Sequence, residues 1–139
     1  MEPLNDRQKK DIAASYYHAL THLLHQSEVP AAHARCLIRW ALQLGLSPDD
    51  LHASTHQQSP LPSDRRAKIR AAYHLVYMTC LDDVIEDTEV EVAQQFARHM
   101  GLEETVVSTL FQSITTADYD ELTPEEMEDQ IITAVEELI

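Results

Sequence analysis

Two stretches of this 139-residue chain hold side chains able to bind a metal ion. In HALTHLLH, His18, His22 and His25 stand four and three residues apart, which on a helix aligns them along one side. Imidazoles four apart can chelate Zn2+ or Ni2+. A structural zinc site, however, asks for about four ligands with supporting hydrogen bonds, and no cysteine or acid lies near in sequence. His18 and His22 are the candidate ligands, with His33 on the next helix as an addition. The other reading is a solvated stripe: at about 100° per residue, Ile12, Tyr16, Ala19, Leu20 and Leu23 gather on the opposite side, so the histidines are expected to face water. His52 and His56 repeat the spacing and the same two readings.

The second stretch is LDDVIEDTEVEVAQQFARHMGL, residues 81–102. Asp82, Asp83, Glu86, Asp87, Glu89 and Glu91 crowd a corner between two helices, with Val84 and Ile85 as an apolar plug. Hard oxygen donors presented from a turn and the helix after it suit Ca2+ or Mg2+, which makes Asp82, Asp83, Glu86, Asp87 and Glu89 candidate ligands. Carboxylates in the first turn of a helix are also stabilised, by about 0.3–1 kcal/mol each, by unpaired N–H groups and the helix dipole with no metal present. An EF-hand is excluded, since the loop lacks its glycine and its alternating ligands.

Charge is distributed unevenly. Residues 1–70 hold nine Lys/Arg against seven Asp/Glu, whereas residues 71–139 hold Arg98 alone against seventeen acids, within a net charge of −14. A carboxylate surplus of this kind repels nucleic acid and anionic membrane and attracts cations or basic proteins. The run Arg65–Arg70 is too short to reverse that, and reads as the solvated first turns of a helix. Cys36 and Cys80, 44 residues apart among apolar neighbours, form neither a zinc knuckle nor a secreted disulfide framework, so reduced, packed thiols are expected. The polar start MEPLNDRQKKD and the lack of any run of about eighteen apolar residues predict a cytoplasmic protein without membrane insertion. No phosphate-binding glycine loop, G-x-S-x-G or H-E-x-x-H is present, so no enzymatic activity is expected.

The elements that must position these residues are helices. Two glycines, six prolines and no alternating strand pattern predict an all-α chain of one domain. Ser47-Pro48-Asp49-Asp50 and Thr123-Pro124-Glu125-Glu126 each supply an N-cap hydroxyl, a first-turn proline and a returning acid. Thr88 with Glu91 offers a further capping box, Pro30 and Ser63-Asp64 open helices, and Gly45 and Gly101 close them. The predicted helices span about 4–26, 30–44, 48–56, 64–83, 88–100, 103–116 and 123–138, with a linker at 57–62. The fourth is apolar nearly all round and is the candidate central helix. Ile131, Ile132, Val135 and Leu138 on the last helix would either cover the bundle or form a partner surface.

Sliding the chain on itself by 56 residues aligns Tyr17-His18 with Tyr73-His74, Trp40 with Phe96, Ala41 with Ala97 and Gly45-Leu46 with Gly101-Leu102. Five of about thirty-five positions are identical without a gap. This predicts a pseudo-twofold duplication of a three-helix unit, about 4–56 and 63–116, braced by a C-terminal helix.

A long apolar helix, an acidic turn enclosing a β-branched residue, a glutamate seven residues after the first aspartate, and a helix ending in Gly-Leu together resemble the tellurite-resistance TerB-like family over residues 10–116. Asp82 falls on the family's hallmark Asp, Ile85 on its Val/Ile and Glu89 on its later Glu. Asp83 and Ser27 stand where the family has Gly, and Gln26 and His33 replace the charged pair in the first copy. The resemblance implies an all-helical fold of paired units, a stress-response role, a divalent cation held in the second copy, and membrane-linked protein partners. The expected function is therefore a non-enzymatic acidic adaptor binding a divalent cation, a basic protein, or both. The competing reading is a phage- or toxin-related inhibitor or immunity protein, an acidic decoy for a basic host protein. A third is a homodimer, basic half against acidic half, that salt dissociates.

Overall fold

The computed structural model describes residues 4–24, 28–50, 62–81, 86–117 and 121–138. Among them are six helices, α1 (Asp6–Leu24), α2 (Ala31–Gln43), α3 (Arg65–Leu81), α4 (Asp87–His99), α5 (Glu104–Thr116) and α6 (Pro124–Leu138), and no strand. Residues 48–50 are helical as well, where the third helix was expected to begin. The chain is an all-α bundle, and no described helix is long and apolar enough to cross a membrane.

The helix starts follow from short polar side chains meeting unpaired N–H groups. The Ser47 hydroxyl accepts from the Asp50 N–H (3.1 Å), and the Asp50 carboxylate accepts from the Ser47 N–H (2.9 Å). Thr123 accepts from the Glu126 N–H (3.2 Å), and its hydroxyl donates to the Glu126 carboxylate (3.0 Å). Asp64 caps α3 through Arg66 N–H and Ala67 N–H. One predicted cap is corrected: α4 starts at Asp87 with Glu86 at its N-cap and no side-chain cap bond, so Thr88 lies inside the helix, and Glu91 turns instead to His33.

Helices α2 and α4 have bounds that differ by 56 at both ends, and they finish identically. Gly45 (φ +70°) and Gly101 (φ +81°) occupy the left-handed region. After them Leu46 N–H reaches Ala41 C=O (3.0 Å) and Leu102 N–H reaches Ala97 C=O (2.9 Å), while the glycine N–H groups bond Leu42 and Arg98. Both ends are Schellman motifs, which require that backbone conformation at the glycine.

Helix α3 is central. Every residue from Ala71 to Thr79 is buried, and α3 packs against α1, α4, α5 and α6. Helix α6 covers the bundle with Met127, Ile131, Ile132 and Val135, leaving Leu138 outside at 74% exposure. The two halves then diverge. Helices α3 and α4 pack closely and are covered by α5, whose Val106, Val107, Leu110 and Ile114 are buried. The corresponding pair, α1 and α2, makes no comparable contact, though Tyr16 OH donates to Leu37 C=O (2.8 Å) across it.

Candidate functional site

Of the acidic corner, Asp82 and Asp83 lie outside the described residues. Glu86 and Asp87 are exposed, whereas Glu89 is 1% exposed. Glu86 and Glu89 converge on a cation supplied by the chain itself. Arg39, on α2, donates from Nη1 and Nη2 to the two Glu86 oxygens (3.0 and 3.2 Å), and its Nη2 also ion-pairs with Glu89. The hydrogen bond and charge of Arg39 hold the Glu86 carboxyl below its usual range. A carboxylate as enclosed as Glu89 requires a counter-charge, and the planar guanidinium meets that need with two carboxylates at once. A divalent ion held by Glu86 and Glu89 would have to compete with Arg39 for both carboxylates. Among the described residues no group of three or more His, Cys, Asp or Glu is placed to hold a metal.

The histidines separate rather than gather. His18 is half-buried on a cleft between α1 and α3, where burial lowers its pKa. His22, one turn on, stacks on His99 of α4 with ring centroids 3.7 Å apart. The expected water-facing stripe is therefore partly covered, because neighbouring helices close over α1 on that side too. His33 is buried, its Nε2 3.2 Å from Glu91 on α4, away from the other two. His25, His52 and His56 lie outside the described residues.

The cleft at His18, about 480 Å³, holds an arrangement that sequence reading missed. Ser15 Oγ is 2.7 Å from His74 Nδ1, and His74 Nε2 is 2.8 Å from Glu128 Oε1. The carboxylate requires the proton on Nε2, so in neutral His74 the Nδ1 accepts from the Ser15 hydroxyl. Burial pushes the Glu128 carboxyl up, but the bond from His74 and the charge of Arg70 outweigh it and leave the group below its usual range. Arg70 also reaches Asp129 (2.8 Å). Hydroxyl, imidazole and carboxylate in a row are the parts of a nucleophile and its base. Acyl transfer also needs donors for an oxyanion, and Ser15 sits within α1, where backbone N–H groups bond along the helix. The arrangement links α1, α3 and α6 through one polar line.

Where α1 and α2 diverge, an apolar groove of about 450 Å³ opens, lined by Leu20, Val29, Leu37, Ile38, Leu42 and Leu46 among others. Ile38 and Leu42 are 61% and 73% exposed, the largest apolar side chains besides Leu138 so displayed among the described residues. Their i, i+4 spacing in RCLIRWALQL was the available signal, since Leu37, Trp40, Ala41 and Leu44 already form the core face of α2.

The fold and these features define an all-α bundle with, among the described residues, an acidic surface, an internally paired corner and an open apolar groove. No family model, curated protein or solved structure matches the chain.

Proposed function

We propose that the chain is a non-enzymatic helical adaptor that recruits a basic protein through its acidic second half. The observation that carries this reading is how the charges are paired. Among the described residues of 71–139 the one cation, Arg98, is held by Glu104 at 2.9 Å. Asp87, Glu103, Glu121, Glu126 and Glu137 are exposed and have no ion pair among the described residues. Such a surface raises the encounter rate with basic partners at low ionic strength. Of the nine cations in residues 1–70 that a head-to-tail dimer would offer, three are engaged within the chain, whereas Arg7, Lys9, Lys10, Arg35, Arg65 and Lys68 make no ion pair among the described residues. Arg39 pairs with Glu86 and Glu89, Arg66 with Asp129 and Glu136, and Arg70 with Glu128 and Asp129. The helical order and the two Gly-Leu helix ends are compatible with the TerB-like resemblance, and the guanidinium of Arg39 stands in this reading where that family's cation was expected.

The test is binding of a fluorescent basic polypeptide, polylysine of about twenty residues, to the full chain at rising salt. The expected result is saturable binding that weakens steeply between about 50 and 200 mM salt, as exposed charges are screened over roughly a Debye length. Absence of binding at 50 mM, or affinity indifferent to salt, would overturn the reading.

A further inference from the structure

The groove between α1 and α2 has a counterpart within the same chain, and in that counterpart the occupant is visible. Shifting by 56 carries Leu20, Leu37, Ala41 and Leu46 onto Val76, Ala93, Ala97 and Leu102. Val76, Ala93 and Ala97 are buried, and α5 packs on the two helices that bear them. The side chains that α5 buries there include Val107, Leu110 and Ile114, at i, i+3 and i+7. In the first half a helix again begins at the equivalent place, Pro48 for Glu104. The sequence that follows does not carry the pattern, because Leu51 aligns with Val107 but Ser54 with Leu110 and Gln58 with Ile114. Two of three apolar anchors are thus replaced by polar residues, while the groove keeps its apolar lining and adds exposed Ile38 and Leu42.

Carboxylates adjoin the lining residues in sequence at two places. Exposed Glu28 adjoins Val29, and exposed Asp49 and Asp50 adjoin Pro48. Neither Glu28 nor Asp49 has an ion pair among the described residues. Arg35, exposed on α2, lies within the field of Glu86 at the start of α4.

We infer that this groove is a docking site for a basic amphipathic helix of a partner protein, one presenting three apolar side chains at i, i+3 and i+7 between flanking lysines or arginines. The apolar anchors replace those the first half lacks, and the cations meet the carboxylates that adjoin the lining residues, the mode in which a helix lays its apolar face into a hydrophobic channel. The inference rests on the reading of the chain as an adaptor for basic proteins, and locates where its specificity resides.

The experiment titrates the full chain with two synthetic lysine-rich helical peptides of identical composition. One carries Val, Leu and Ile at i, i+3 and i+7, and the other carries them scattered around the helix. The patterned peptide should bind about ten-fold tighter or more, since buried anchors dominate such interfaces. Ile38→Glu and Leu42→Glu, at exposed positions that leave helical content unchanged by circular dichroism, should abolish that preference and leave the salt-dependent binding of the scattered peptide in place. Equal affinity of the two peptides overturns the groove while the adaptor reading survives; no binding of either overturns both. A dimer of the chain alone that Leu42→Glu dissociates assigns the groove to a second copy. A rise in patterned-peptide affinity on replacing residues 51–61 by a glycine-serine linker assigns it to the chain's own segment. Either of these also overturns the inference.

Discussion

Arg39 on α2 ion-pairs with Glu89 on α4, a carboxylate at 1% exposure that sequence analysis had placed among the ligands of a divalent cation. The pair joins the two halves of the chain across their common seam, with Glu86 completing a two-carboxylate clamp. Breaking a fully buried pair by removing one partner costs about 3–5 kcal/mol. The Arg39 side chain stays about one-third exposed, so hydration offsets part of that loss. Arg39→Ala is expected to destabilise by about 2–3 kcal/mol in urea unfolding, and Arg39→Met with Glu89→Gln by less than Arg39→Ala alone. A single-variant loss under about 0.5 kcal/mol would show that the clamp is not structural.

Acid should weaken the polar line from Ser15 to Glu128. Glu128 has its carboxyl held below the usual 4.5 in the folded chain. A depressed folded value means that the native state favours the ionised form, so the stabilisation is present above pH 4.5 and is lost as pH falls through the lowered value. Glu128→Gln, whose amide oxygen can still accept from His74, is expected to flatten the acid limb of a plot of melting temperature against pH. An unchanged limb would count against the assignment.

The two helix-ending glycines make a matched pair of tests. An added Cβ at Gly45 or Gly101 would meet nothing within 4 Å, so crowding plays no part and the left-handed backbone alone sets the cost. Gly45→Ala and Gly101→Ala should each destabilise by about 1–2 kcal/mol, and by similar amounts. Unequal losses would show that the two Schellman ends are not equivalent in energy.

Thiol chemistry should be slow. Burial, reinforced by the charge of Glu89, pushes the Cys36 thiol up to about 12 and the Cys80 thiol up to about 11. At pH 8 both are protonated, so reaction with a disulfide reagent is expected to await unfolding, with Cys80, the less enclosed, reacting first. Rapid native-state labelling of Cys36 would contradict the packing described for α2.

The helical framework was legible where its causes are local. The caps at Ser47 and Thr123, the closing glycines and the all-round apolarity of α3 each depend on residues within one or two turns, and the structure agrees at each. The Thr88 box failed because Glu91 had a competing partner, His33, that is 58 residues away in sequence. Long separations in sequence likewise hid Arg39 from Glu89, and Ser15 from His74 and Glu128, since nothing local marks which charge a buried carboxylate will meet. Six acids in ten residues suggested a divalent ion; one arginine in an otherwise apolar turn of α2 was the quieter clue to what sits beside them. The groove was harder still to read, because it arises from how far α1 and α2 splay.

Because Arg39 belongs to the first half and its two carboxylates to the second, neither portion is electrically self-sufficient. Severed between residues 50 and 62, each fragment would expose an unanswered charge and half of a seam, and would regain order only on meeting the other. The molecule is thus inherited as a whole: a mutation that alters one side of the clamp can be repaired only by a second change on the far side of the linker.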